Sequence, residues 1–247
     1  MPRFLAAACA ALLLATAFHP TAARAADSAC QPPAASEIQA LACPKDGKPK
    51  GRAGKFDYYA LVLGWSPHHC RGKDVTAGDD FQCKANSFGF VVDGLWPIRN
   101  SGKQPQYCAG QNVPALPATM VAENMCIMPN ASVVQCAWKK EGTCTGLDDD
   151  AYFATARKLF AELNIPPEFR QPFPEDRTVQ ATAFIAEMVA ANPGLKPENI
   201  ALICEGSGVS DAIEKIGVCY DADLDPHPCG RVPDACRSPE IRFFGTK

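Results

Sequence analysis

Apolar and polar positions along this chain fall into a few regular stretches punctuated by proline, glycine and cysteine. FDYYALVLGWS at 56–66 is rich in aromatic and aliphatic side chains and stops at Ser66-Pro67, which predicts a strand. FGFVVDGLWP at 88–97 predicts a second strand, again ended by proline. LPATMVAENM at 116–125 predicts a short helix. From about 151 to 163, Phe153, Ala156, Phe160 and Leu163 recur at helical spacing. Asp148, Asp149 and Asp150 precede that run, where carboxylates cap unpaired N–H groups and complement the helix dipole. Capping is adopted over a metal cluster for these three. A further helix at about 178–191 ends at Asn192-Pro193-Gly194. NIALICEG at 199–206 and AIEKIGVCYDA at 212–222 predict a closing β pair. Strands and helices mix without regular βαβ alternation, so the class is α+β. Residues 26–55 mix Pro, Gly, Ala and Lys and read as an N-terminal arm ahead of a domain at 56–247, with Cys30 and Cys43 close enough in sequence to staple each other.

Composition narrows this picture. The chain has 247 residues, 47% of them hydrophobic and 21% charged, which suits one globular domain and excludes disorder. With 24 basic against 27 acidic residues, it is not a polycation that holds nucleic acid by charge alone. The opening MPRFLAAACAALLLATAFHPTAARA has Arg3, an apolar run at 4–18 and small residues at Ala23-Arg24-Ala25, the pattern of a signal peptide over 1–25. Its apolar run falls short of the roughly 20 residues that span a bilayer. Cys9 sits inside that run, which argues against a lipid anchor. Cleavage removes two arginines and one of the 13 cysteines, leaving a net charge of −5 and twelve cysteines. An even dozen predicts a disulfide framework of up to six bridges in a secreted chain, periplasmic or extracellular, with no membrane attachment after cleavage.

Two short segments carry candidate chemistry: DGLWP at 93–97 and CAWKKEGTC at 136–144. They resemble the signature segments of the ribonuclease T2 family of secreted endoribonucleases, which read His-Gly-Leu-Trp-Pro and His-Glu-Trp-x-Lys-His-Gly-Thr-Cys. The resemblance extends through FDYYALVLGWSPHHC, TCTGLDDDAYFATARKL, NIPPEF and the closing β pair, covering about 55–230 in order. It implies that family's fold, a central antiparallel sheet with packed helices, and no cofactor or metal.

Where the family has the histidine that protonates the leaving 5′-oxygen, this chain has Asp93. The histidine that takes the 2′-hydroxyl proton is Glu141, the opening histidine of the second segment is Cys136, and the acidic residue beside it is Ala137. Lys140, Trp96 and Trp138 are kept. Transesterification needs a general acid and a general base with pKa values near the working pH, and imidazole suits both roles. An ordinary aspartate, with a pKa near ~3.9, has no proton to give at neutral pH and repels the phosphate it faces. With Lys140 the only cation of the two motifs, the field at the site is expected to reverse sign. The function expected is that of an impaired pseudo-ribonuclease that keeps RNA or nucleotide affinity, or binds a protein partner. Two alternatives stay open: an active endoribonuclease with Glu141 as base, and a hydrolase using the carboxylate pair. Trp65, Trp96 and Trp138 are the candidate base-stacking residues.

The resemblance also implies bridges Cys70–Cys83, Cys108–Cys144, Cys219–Cys229 and Cys204–Cys236, which leaves Cys30–Cys43 and Cys126–Cys136. On that reading a disulfide closes the edge of the cleft where Cys136 replaces a histidine. A nucleophilic Cys136 is set aside for want of an activating base. Other patterns are weaker. His68-His69-Cys70 looks like metal ligands, but adjacent histidines point apart. Asp221, Asp223 and Asp225 hint at a calcium loop that lacks its glycine and its closing glutamate. Asn130-Ala131-Ser132 is a glycosylation sequon.

Overall fold

The structure is a computed structural model, and it describes residues 30–38, 43, 47–72, 75–110, 112–205, 211–231 and 235–247. The expected signal peptide at 1–25 lies outside the described residues. The chain divides into a unit at Met1–Cys30 and a second at Gln31–Lys247, and the second is described below.

Among the described residues, six strands and six α-helices follow one another. β1 is Tyr58–Trp65, α1 Ser66–Cys70, α2 Asp80–Cys83, β2 Phe90–Ile98, α3 Ala118–Asn124 and α4 Ala131–Lys140. α5 is Asp149–Glu162, β3 Arg177–Gln180, α6 Ala181–Ala191, β4 Ile200–Glu205, β5 Asp211–Tyr220 and β6 Glu240–Phe243. The strands form one sheet in the order β2-β1-β5-β6-β3, with β4 pairing β5. It is the expected antiparallel sheet, except where β6 runs parallel to β5 over Asp211↔Ile241 and Ala212↔Arg242.

The fold follows from period-2 alternation in β1. Tyr59, Leu61, Leu63 and Trp65 face the main core together with Phe153 and Leu159 of α5 and Phe184 and Met188 of α6. Tyr58, Ala60 and Val62 point to the other face, where they meet Cys219 and the half-buried Trp96 and Ile98. Each large apolar side chain buried this way contributes about 1.5–3 kcal/mol. The helix expected at 178–191 starts later: residues 177–180 pair with β6 and only then does α6 begin. α4, β6 and the short α1 and α2 were not anticipated.

α5 begins where the aspartates predict. Asp148 is its N-cap, accepting from the Ala151 amide at 2.8 Å, with Asp149 and Asp150 in the first turn. Among the described residues no group of His, Cys, Asp and Glu is arranged to hold a metal ion. Asp148→Ala therefore lowers stability by about 1 kcal/mol in a urea titration, and equally with or without a chelator.

Five bridges are defined: Cys43–Cys136, Cys70–Cys83, Cys108–Cys144, Cys204–Cys236 and Cys219–Cys229. Cys30 and Cys126 are disulfide-bonded as well. The expected Cys30–Cys43 and Cys126–Cys136 pairs are thus corrected. The described part of the arm at 47–54 packs against residues 106–107 and 144. Lys50 exchanges two backbone hydrogen bonds with Gln106, each 2.8 Å, and the Gly54 amide donates to the Cys144 carbonyl at 2.9 Å. Gly47 lies against the Tyr107 ring so closely that any Cβ would overlap it.

Candidate functional site

Two irregularities in the sheet aim the candidate side chains. In the β1–β2 ladder Val62 faces Gly94 and Leu63 faces Val92, so Asp93 is an extra residue with no partner in β1. In the β4–β5 ladder Ile203 faces Lys215 and Cys204 faces Ile213, so Glu214 is likewise extra. Such bulges twist a strand locally and redirect a side chain. Both carboxylates are turned toward one residue between them: Lys215 Nζ lies 3.3 Å from Asp93 Oδ2 and 3.4 Å from Glu214 Oε1.

The second motif reaches the same place on α4. Asn130 caps that helix, its Oδ1 accepting from the Ser132 and Val133 amides at 2.8 and 3.2 Å. Lys140 then falls in the last turn, where a cation complements the dipole, and Glu141 follows as C-cap. Lys140 Nζ sits 2.8 Å from Glu141 Oε1, to which Gln104 Nε2 also donates at 3.5 Å. Gln104 is held in turn by Gln106, the residue that pairs with the arm at Lys50. Both lysine ammoniums stand 5.5 Å from the Trp96 ring centre, within cation–π range.

Burial decides the electrostatics. Glu141 is only 3% exposed. Burial pushes its carboxyl up to about 7, with Lys140 pulling down and the Asp93 charge adding to the rise. Burial works to lower Lys140 and Lys215, but the facing carboxylates hold both above the usual lysine value, Glu141 for the first and Asp93 and Glu214 for the second. The buried Tyr152 hydroxyl, which accepts from the Leu95 amide at 3.1 Å, is held well above the usual tyrosine value by burial and by Glu141.

The structure thus brings Asp93, Lys140, Glu141 and Trp96 together and adds Lys215, which the sequence reading missed. Its signal was the charged pair Glu214-Lys215 inside the otherwise apolar run AIEKIGV. With Lys215 present, Lys140 is not the site's one cation: each motif carboxylate has a lysine partner, and Glu214 brings the cluster to three carboxylates and two lysines. Ala137, 2% exposed, is buried in the core. Cys136 is tied to Cys43 of the arm, which excludes a thiol nucleophile there.

Trp65 does not stack a base. It is fully buried among Phe90, Phe173 and Phe243, and its Nε1 donates to the Phe244 carbonyl at 2.8 Å. Trp138 packs against Tyr152, and its ring lies so close to Gly142 that any Cβ there would overlap it. Trp96 borders an open groove, about 260 Å³, shared with Tyr58, Gln104, Lys215 and Arg231. Asn130 is 7% exposed and spends its amide on Asp79, so the sequon is closed in the folded chain. Asp221 caps its own turn, accepting from the Asp223 and Asp225 amides.

Comparison with known proteins gives a consistent picture. The family model described as "Ribonuclease T2 family" matches residues 56–229. A probable ribonuclease of Haemophilus influenzae is 36% identical over 121 residues, 44% of each chain. A ribonuclease of Aeromonas hydrophila is 37% identical over 110 residues, 44% of this chain and 47% of that one. The chain therefore spans about half the length of these relatives. Among solved structures, a variant of RNase MC1 in complex with 5′-UMP superposes with a TM-score of 0.58 at 19% identity, covering 75% of this chain and 97% of the other.

Proposed function

Given that the chain belongs to the ribonuclease T2 family, we propose that it is a secreted or periplasmic member whose cleavage chemistry is impaired and which retains weak affinity for RNA or nucleotides. The observation that supports this most is the pairing of both site lysines with carboxylates of the same chain, Lys215 with Asp93 and Lys140 with Glu141. A phosphodiester needs those cations to offset the charge of its transition state. Here each is occupied before any substrate arrives. The base position is engaged too: Glu141 is buried and its carboxyl is held by Lys140 and the Gln104 amide. The dense disulfide framework supports an oxidising compartment.

The direct test is RNA cleavage by the purified, oxidised chain between pH 4 and 8, scored as 2′,3′-cyclic phosphate ends. The expected rate is slow at every pH. Rapid metal-free production of cyclic ends, at rates ordinary for an endoribonuclease, contradicts the proposal, and its loss in Glu141→Gln would then assign the base.

A further inference from the structure

A second acid–base group stands beside the degenerate site. A cavity of about 140 Å³ is lined by Asp93, Glu214 and Lys215 together with His68, His69 and Asn130. His69 belongs to α1 and its side chain is 44% exposed. Its Nε2 lies 2.7 Å from Oδ1 of Asp79, whose own side chain is only 5% exposed.

Asp79 is fixed from every side. Asn130 Nδ2 donates to Oδ1 at 2.6 Å, and the Thr76 amide and hydroxyl donate to Oδ2 at 2.8 and 3.1 Å. Burial works to raise this carboxyl, but these donors together hold it below its usual value, so it is ionised. A carboxylate can only accept, so the proton of this contact sits on His69 Nε2. Nδ1 is then the group that changes state: bare in the neutral imidazole, a donor in the imidazolium. A buried carboxylate that fixes the tautomer of an exposed imidazole is the arrangement used for proton transfer in hydrolytic triads.

We propose that His69, oriented by Asp79, is the catalytic acid for the slow RNA cleavage this chain retains, supplying from α1 the imidazole that is missing at position 93. The inference rests on the impaired-ribonuclease reading and names the group behind the remaining rate. The P–O2′ bond forms as the P–O5′ bond breaks. The Nδ1 proton of the His69 imidazolium passes to the departing 5′-oxygen, and the 2′-hydroxyl proton passes to solvent water. The products are a 2′,3′-cyclic phosphate and a 5′-hydroxyl, and neutral His69 is reprotonated from solvent. Lys215 lines the same cavity, and its pairing with Asp93 and Glu214 keeps the step slow. Asp79 acts through His69 and is a positioning residue. The titratable or charged groups around the imidazole are Asp79, His68, Asp93, Glu214 and Lys215.

The experiment compares wild type, His69→Gln, His69→Ala and Asp79→Asn on RNA from pH 4 to 8, with melting curves to confirm folding. His69→Gln is expected to lower the rate by about ten- to a hundredfold and to abolish the decline toward alkaline pH. Added imidazole is expected to restore cleavage in His69→Ala, which a merely structural role would not allow. Asp79→Asn is expected to lower kcat with little change in KM. The inference is overturned if His69→Gln keeps the wild-type rate and profile. It is also overturned if wild type forms no cyclic ends above a protein-free control, in which case the impaired-ribonuclease reading stands. Rapid wild-type cleavage abolished by His69→Gln would overturn that reading instead and keep the assignment of His69.

Discussion

The combined substitutions Asp93→His, Ala137→Glu and Glu141→His are expected to raise RNA cleavage by about 10²–10⁴-fold over wild type at pH 6–7, the range that one well-placed acid–base pair contributes. Two effects act together. Imidazoles return to the two positions where the family's motifs carry them. Replacing the Asp93 and Glu141 carboxyls also releases Lys215 and Lys140, which now stand 3.3 and 2.8 Å from them, to meet the phosphate. Ala137 is 2% exposed, so a glutamate there overfills its surroundings at a cost of about 1–3 kcal/mol. If that change compromises folding, the pair Asp93→His/Glu141→His carries the test alone. A folded repaired variant that cleaves no faster than wild type would show that the scaffold, and not the side chains at these positions, limits activity.

The second large effect concerns stability. The Glu141 carboxyl titrates at about 7 in the folded chain against 4.5 for an ordinary glutamate. Between those values the folded state holds a proton that the unfolded state has lost. The contribution is therefore complete below pH 4.5 and is lost as pH rises through 7. At about 1.4 kcal/mol per pKa unit, the chain loses about 3 kcal/mol from this group across that window. His68, whose pKa burial lowers, works in the opposite direction over part of the same range. Asp79, Asp176 and Asp211 lie below their usual 3.8 and act at more acid pH. The useful quantity is thus the difference between wild type and Glu141→Gln. In denaturant titrations at pH 4.5 and 8, the glutamine variant is expected to gain about 3 kcal/mol relative to wild type between the two. Parallel stability curves for the two proteins would show that Glu141 is not buried as described.

Much of this arrangement was legible in the chain itself. The aromatic and aliphatic run of β1 with its stop at Ser66-Pro67, the capped start of α5 and the β4–β5 pair all rest on local chemistry and fall within a few residues of expectation. β2 runs one residue past the proline expected to end it. The motif residues Asp93, Lys140 and Glu141 converge because they sit on segments that the resemblance had already paired. What was not legible depends on contacts distant in sequence. β3 is too short and exposed to declare itself, and it exists only through β6. Cys43 bridges Cys136 across 93 residues, whereas nearness in sequence favoured Cys30. Lys215 is 122 residues from Asp93, and only the bulges at Asp93 and Glu214 turn the three side chains together. A strand lysine reads as solvated until its neighbours across the sheet are known.

The account turns on whether intramolecular carboxylates hold the two lysines against an incoming phosphate. Calorimetric titration of a 5′-mononucleotide into wild type and Asp93→Asn measures this without depending on catalysis. Removing one unit charge about 4 Å from a phosphate in a largely aqueous setting is worth about 1 kcal/mol. The account predicts weak wild-type binding and about five- to tenfold tighter binding by Asp93→Asn. Tight nucleotide binding by wild type, left unchanged or weakened in Asp93→Asn, would contradict it.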